Sequence, residues 1–230
     1  MSNGLNHLIE RLPRADRKRL LSLCEPVVLT LSEVLSRPDR PTSHAYFPTS
    51  GFISLVTMVE GAPGLEVGMV GSEGMLGAQL VLGVGNAPLH ALVQGQGAAW
   101  RIGSVAFRGQ LARSPALQRG LNRYLYVLMA QLTTSAACLR FHQIGPRLAR
   151  WLLMSQDRAD ADHFKVTQQF LAYMLGVRRV GITAAASALQ SSGAIRYRRG
   201  EITVLDRREL EAAACNCYAV DRRTYASVMT

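Results

Sequence analysis

The sequence predicts an α+β chain in three stretches: an antiparallel barrel, roll or sandwich of short strands, one long amphipathic helix, and a C-terminal helix-turn-helix closed by a basic β-hairpin. Three observations carry this reading. Between residues 27 and 102, short apolar segments are punctuated by Gly and Pro. Beyond Pro115, apolar residues recur at near-heptad spacing. Residues 167–205 hold two short helical patterns joined at Gly176, followed by an alternating, arginine-rich run.

Residues 5–23 read as helical, with Pro13 acceptable in a first turn and Leu20, Leu21 and Leu23 on one side. Strand-like segments follow at 27–31, 45–47, 52–58, 65–70, 89–94 and 98–102. The turns expected between them are Arg37-Pro38-Asp39, Pro48-Thr49-Ser50-Gly51, Glu60-Gly61-Ala62-Pro63-Gly64 and Gly95-Gln96-Gly97. Ser114 is suited to cap, and Pro115 to open, a helix over about residues 115–141. Within it Leu117, Leu121, Tyr124, Leu128, Leu132, Ser135 and Leu139 fall at spacings of 4, 3, 4, 4, 3 and 4. Such a seam suits a two-stranded contact between copies of the chain, the alternative being a stripe buried in the chain's own core. Gly145-Pro146 ends or redirects that helix, and another amphipathic helix follows through Leu148, Trp151, Leu152 and Met154. The domain boundary is placed here, between a first domain of residues 1–142 and a second of 143–230.

Composition sets the outer limits. In 230 residues, 48% hydrophobic and 18% charged residues exclude wholesale disorder. No apolar run approaches the roughly 20 residues a bilayer span requires. The start, Met1 to His7, lacks a secretory signal, so the expectation is a soluble, cytoplasmic chain without a membrane partner. Lys and Arg number 26 against 16 acidic residues, for a net charge of +10, and only Lys18 and Lys165 are lysines. Each domain carries 13 basic and 8 acidic side chains, but the second does so in 88 residues, and residues 178–200 hold five arginines and no acid. That concentration points to a nucleic acid more than to a merely solvated surface.

Cys24, Cys138, Cys215 and Cys217 form no C-x-x-C pair, and no His follows them at zinc-finger spacing, so buried reduced thiols are expected and no metal or cofactor is. Neither a P-loop, a Gly-x-Gly-x-x-Gly, a Ser-His-Asp set nor a paired-carboxylate arrangement stands out, so no enzyme is expected.

Thr167 is suited to cap a helix with Phe170, Leu171 and Met174 on one side and Gly176 after its end. A second helix from Arg178 to about Ser191 would turn Ile182, Ala185 or Ala186, and Leu189 inward, leaving Arg179, Thr183, Ser187 and Gln190 outward. Residues 194–205 alternate like a hairpin with Arg199-Gly200 at the turn, and Asp206 to Glu209 have the form of a capping box opening a last helix. In this order the elements make a winged helix-turn-helix.

The chain resembles the Crp–Fnr superfamily of bacterial transcription regulators. The runs that carry the resemblance are Val67-Gly68-Met69-Val70-Gly71-Ser72-Glu73-Gly74, Arg147-Leu148-Ala149-Arg150-Trp151-Leu152-Leu153, Val166-Thr167-Gln168-Gln169, Leu175-Gly176-Val177-Arg178-Arg179 and Gly193-Ala194-Ile195-Arg196-Tyr197. It implies an N-terminal, jelly-roll-like β-roll sensor, a dimerising helix and a DNA-binding winged helix-turn-helix. Carried over, Thr167 and Gln169 touch phosphates, Arg179 reads a guanine, and Arg178 is assigned to phosphate. Arg196, Arg198 and Arg199 would hold the backbone from the wing, and Thr183 would join Arg179 in sequence choice. The implied partners are double-stranded DNA, a second copy of the chain and RNA polymerase.

Val180 and Ala184 depart from the residues common in the family, which puts its usual half-site in doubt. The sensor departs further. Where cyclic-nucleotide binders carry Gly-Glu and then Arg-Ser or Arg-Thr, this chain has Gly77-Ala78-Gln79-Leu80 and Ala87-Pro88-Leu89-His90, so cyclic AMP is not expected to bind. The iron–sulfur branch is not matched either, because Cys24 stands alone near the N-terminus. No effector is named by the sequence, and a constitutive regulator fits equally. The alternative function is a sensory or scaffolding protein whose winged helix docks protein.

Overall fold

The computed structural model describes residues 5–58, 60, 64–159 and 161–230. Gly61, Ala62 and Pro63 of the expected turn, and Met1 to Gly4 of the N-terminal stretch, lie outside the described residues.

The N-terminal stretch is two helices, α1 (His7–Glu10) and α2 (Arg14–Leu21), because Pro13 takes the cap position of the second and cannot continue the first. The strands β1 (Glu25–Leu29), β2 (Val34–Ser36), β3 (His44–Thr57), β4 (Leu65–Val70) and β5 (His90–Gly103) form one antiparallel sheet in the order β1-β5-β3-β4, with β2 also on β5. Two of the expected turns are absent. Residues 48–51 and 95–97 lie inside β3 and β5, each 14 residues long. The pairing register slips three times between Pro48 and Ile53, and such bulges bend a ribbon instead of ending it. Glycine is required at that corner: a Cβ on Gly97 would lie 2.2 Å from the Ser50 carbonyl oxygen, and Gly51 sits at φ +70°.

Helix α3 (Ser104–Arg113), beyond the elements expected from the sequence, leads to α4 (Pro115–Phe141). Ser114 caps α4 by accepting from the Leu117 amide at 3.1 Å, and Pro115 stands in its first turn as expected. The expected dimer seam needs correction. Leu117, Leu121 and Tyr124 are buried within their own chain, in a core with Phe47, Phe107 and Ile102 of the roll. Leu128, Leu132 and Leu139 are half-buried. The stripe therefore chiefly fixes the helix to its own roll. On the opposite side Asn122, Tyr126, Met129, Thr133, Ala136 and Arg140 are exposed at spacings of 4, 3, 4, 3 and 4, with Tyr126 and Met129 more than half exposed.

His142 ends α4 in an extended conformation, and α5 (Ile144–Ala159) starts after it. The second unit holds α6 (Gln168–Met174), α7 (Arg179–Ser191), α8 (Arg207–Ala213) and α9 (Cys217–Val228). Its sheet runs β6 (His163–Lys165), β8 (Glu201–Val204), β7 (Ile195–Arg198). Its core of Leu148, Leu152, Leu171, Ile182, Leu189 and Ile202 extends into the roll through Phe52 and Met69. Three polar links reinforce that joint. The Trp151 indole N–H donates to Glu66 Oε1 at 2.9 Å, Arg158 Nε to Glu73 Oε1 at 2.8 Å, and the Tyr225 hydroxyl to the Glu73 carbonyl at 3.2 Å. Helix α9 folds back along α4, so that Met229 joins the roll's core. No helix among the described residues is long and apolar enough to cross a membrane.

A candidate nucleic-acid interface

The helix-turn-helix forms where the local signals place it. Thr167 Oγ1 accepts from the Phe170 amide at 3.1 Å, capping α6 and leaving its own O–H free to donate outward. Gly176, at φ +59°, lets the chain leave α6, and the Val177 amide closes the turn on the Ala172 carbonyl. Arg178 takes the cap position of α7, so the helix begins at Arg179, one residue after the expected start. The expected inward residues, Ile182, Ala185, Ala186 and Leu189, are all buried, and Arg179, Thr183, Ser187 and Gln190 are exposed.

Two outward residues also hold the motif together. The Thr183 hydroxyl lies 2.7 Å from Gln168 Oε1 and 3.2 Å from the Arg179 carbonyl. It ties α7 to α6, leaving Arg179 as the uncommitted donor of the pair. Gln190 Oε1 accepts from the Tyr197 amide at 2.9 Å, joining α7 to the wing.

The wing has the expected register. Arg196 pairs with Thr203 and Arg198 with Glu201, and Arg199 and Gly200 take φ +53° and +77° in a two-residue turn. Tyr197 points inward, its hydroxyl donating to the Val166 carbonyl at 2.7 Å, so Arg196 and Arg198 face outward. Asp206 caps α8 by accepting from the Arg208 and Glu209 amides; its own amide donates to Ala194, so the box is one-sided. Strand β6, which pairs with β8 and backs the wing, was not legible in three residues.

Every residue expected at the interface is exposed: Thr167, Gln169, Arg178, Arg179, Thr183, Arg196, Arg198 and Arg199. Among the described residues the ion pairs employ Arg19, Arg101, Arg150, Arg158 and Arg207. None of the five arginines of residues 178–200 is among them. Arg178 and Arg179 moreover sit at the positive end of α7, where two more cations are unfavourable until an anion arrives. Arg179 on α7 is near enough to Tyr197 of the wing for its charge to oppose the upward shift that burial gives the phenol.

In the roll, the two stretches 77–80 and 87–90 meet. Gly77, Ala78, Gln79, Ala87, Pro88 and Leu89 all line a cavity of ≈ 380 Å³. Gln79 Nε2 is committed to Thr42 Oγ1 at 2.7 Å. At the far end of α4, sequence spacing hid a different convergence: Cys138 and His142 lie against Cys215 and Cys217. The hydrogen bond with Cys215, and after it His142 and the Arg150 charge, favour the thiolate form of Cys138.

A winged helix-turn-helix joined by a long helix to a β-roll defines a class of two-part regulators. Residues 146–213 match the family model described as the Crp-like helix-turn-helix domain. The C-terminal part of the chain thus carries a Crp-like helix-turn-helix. Solved structures share the fold along most of the chain. FixK2 from Bradyrhizobium japonicum is 14% identical, with a TM-score of 0.70 over 84% of this chain and 98% of its own. The c-di-GMP responsive global regulator of Xanthomonas campestris is 18% identical, at 0.68 over 84% and 100%. A CRP/FNR family transcriptional regulator from Thermus thermophilus is 22% identical, at 0.67 over 83% and 98%. No curated protein matches the sequence.

Proposed function

We propose that this DNA-binding transcription regulator acts as a homodimer, each copy setting α7 in a major groove and its wing on the flanking phosphates. The observation that carries the reading is the set of five exposed arginines without a carboxylate partner among the described residues. Fixed guanidinium groups displace counterions from phosphates, and the fork of Arg179 matches guanine O6 and N7. Thr167, Gln169, Arg178, Arg196, Arg198 and Arg199 supply register and affinity. RNA polymerase is the further partner such a regulator addresses once bound.

The test is selection of bound sites from random duplexes, followed by titration of salt. Replacing Arg198 with alanine should weaken binding to every sequence alike and lower the magnitude of the log–log salt slope by about 1. An unchanged slope would remove the wing from the interface. Association that ignored salt but captured a protein partner would favour the protein-docking alternative.

Pairing of copies is assigned to the exposed face of α4 around Tyr126 and Met129, continuous over six heptad positions. Met129→Glu should raise the dimer dissociation constant at least about tenfold in sedimentation equilibrium, because it sets a charge in the middle of that seam. A Leu117 substitution should instead act on folding. Equal dimer affinity in Met129→Glu and the parent would refute this face.

The roll is assigned no cyclic AMP. Ala78 and Pro88 line the cavity where a ribose hydroxyl and a cyclic phosphate would each need a partner, and neither side chain offers one. Calorimetric titration with cyclic AMP should show no saturable heat, and saturation at micromolar nucleotide would overturn the assignment.

A further inference from the structure

We infer that Cys138, His142, Cys215 and Cys217 form a structural zinc site that staples the end of α4 to the start of α9. The four candidate ligand atoms lie within 4.8 Å of one another. Cys138 Sγ is 3.5 Å from Cys215 Sγ, and Cys217 Sγ is 3.5 Å from His142 Nδ1. A tetrahedron with Zn–S near 2.3 Å and Zn–N near 2.05 Å has edges of about 3.8 Å between sulfurs and about 3.6 Å from sulfur to nitrogen. The spacing is thus that of a single ion. An iron–sulfur cluster spreads its thiolates around a larger polyhedron, and three soft sulfurs with one imidazole select zinc over magnesium or calcium.

The surroundings fit the same ion. The three cysteines are nine-tenths or more buried and form a cluster of their own, apart from the aliphatic cores. Cys138 and His142 are four apart in the last turn of α4, and Cys215 and Cys217 flank the start of α9, whose positive end favours thiolate. Three thiolates, a neutral imidazole and a divalent ion sum to one negative charge. Arg147 and Arg150, both buried, border the same small void as Cys138, and Arg150 Nε has no hydrogen-bond partner. All four first-sphere positions are protein atoms, the arrangement of a structural site with no open position for substrate. The ion would hold the hinge at His142, where the long helix passes into the DNA-binding unit. This inference is independent of the DNA-binding reading, because metal content is measured without oligonucleotide.

The test uses the full chain, purified anaerobically with reductant and without chelator. Elemental analysis should find about one zinc per chain, and a mercurial should release it in step with the thiols. Cobalt exchanged into the parent chain should show the intense visible bands of tetrahedral thiolate ligation. Cys138→Ser and Cys217→Ser should each reduce retained metal at least about tenfold. Cys24→Ser, remote from the cluster, should keep it, and His142→Cys should retain a four-ligand site. A parent chain that retained neither zinc nor cobalt, that gave the weak spectrum of six-coordinate cobalt, or that closed a Cys138–Cys215 disulfide in place of binding would overturn the inference. The cobalt spectrum of the parent decides the matter even if a serine variant fails to fold.

Discussion

Replacing Trp151 with alanine should lower the stability of the chain by roughly 3–5 kcal/mol, the cost of removing a large buried aromatic side chain. For a chain of this size that is a fall in melting temperature of roughly 6–20 °C. Trp151 is 4% exposed, packed in the core shared by the helix-turn-helix and the roll, and its indole N–H donates to Glu66 on β4. Truncation therefore opens a cavity and takes a donor from the half-buried Glu66 carboxyl at the same place. A variant melting within 2–3 °C of the parent would show that the two units do not share a core there.

Glu66 adds a pH signature to the same joint. Burial raises its pKa from 4.5 to about 7, although Ser54, Trp151 and the charges of Arg158 and Arg150 pull it down. Between those values the folded chain holds a proton that the unfolded chain has released. Stability from this group consequently falls as pH rises from about 4.5 to about 7, with a slope of at most about 1.4 kcal/mol per pH unit. Glu66→Gln should lack that decline. Urea unfolding of both chains across pH 5–8 checks it, and parallel curves would contradict the burial of this carboxyl.

Arg179→Ala should cost about 1–3 kcal/mol of discrimination, reducing the preference for the selected site over random DNA roughly fivefold to 150-fold. Binding that depends on salt should persist, since the wing arginines and Arg178 remain. Competition between the selected duplex and a scrambled one reads this directly. If the variant lost affinity for both duplexes in equal proportion, Arg179 would be a phosphate contact and the base reader would lie elsewhere on α7. The commitment of the Thr183 hydroxyl to Gln168 sharpens the expectation, because it leaves the guanidinium as the free polar group of that turn.

The pieces legible in the sequence share one property: their cause is local. The Thr167 cap, Gly176 after α6, the Arg199-Gly200 turn and the Asp206 cap each depend on contacts within a few residues. Such geometry follows from residue type alone. The inward set Ile182, Ala186 and Leu189 was legible for a similar reason, since period 3.6 marks one side of a helix.

Periodicity marks an apolar side without saying what covers it. Leu117, Leu121 and Tyr124 cover the chain's own roll, leaving the outer face of α4 to Tyr126 and Met129. Likewise, glycines at 51, 95 and 97 signal either a turn or a close approach of backbones; only the pairing of β3 with β5 decided for a bent strand.

Residue order by itself thus determined the winged helix-turn-helix, its caps and the concentration of arginine that faces outward. Tertiary structure alone decided which side of the long helix stays free, that α9 returns to the roll, and that Cys138 meets Cys215 across 77 residues. The division has a physical origin: short-range hydrogen bonds and torsional preferences are written residue by residue, whereas long-range contacts emerge only when the whole chain buries its apolar surface together.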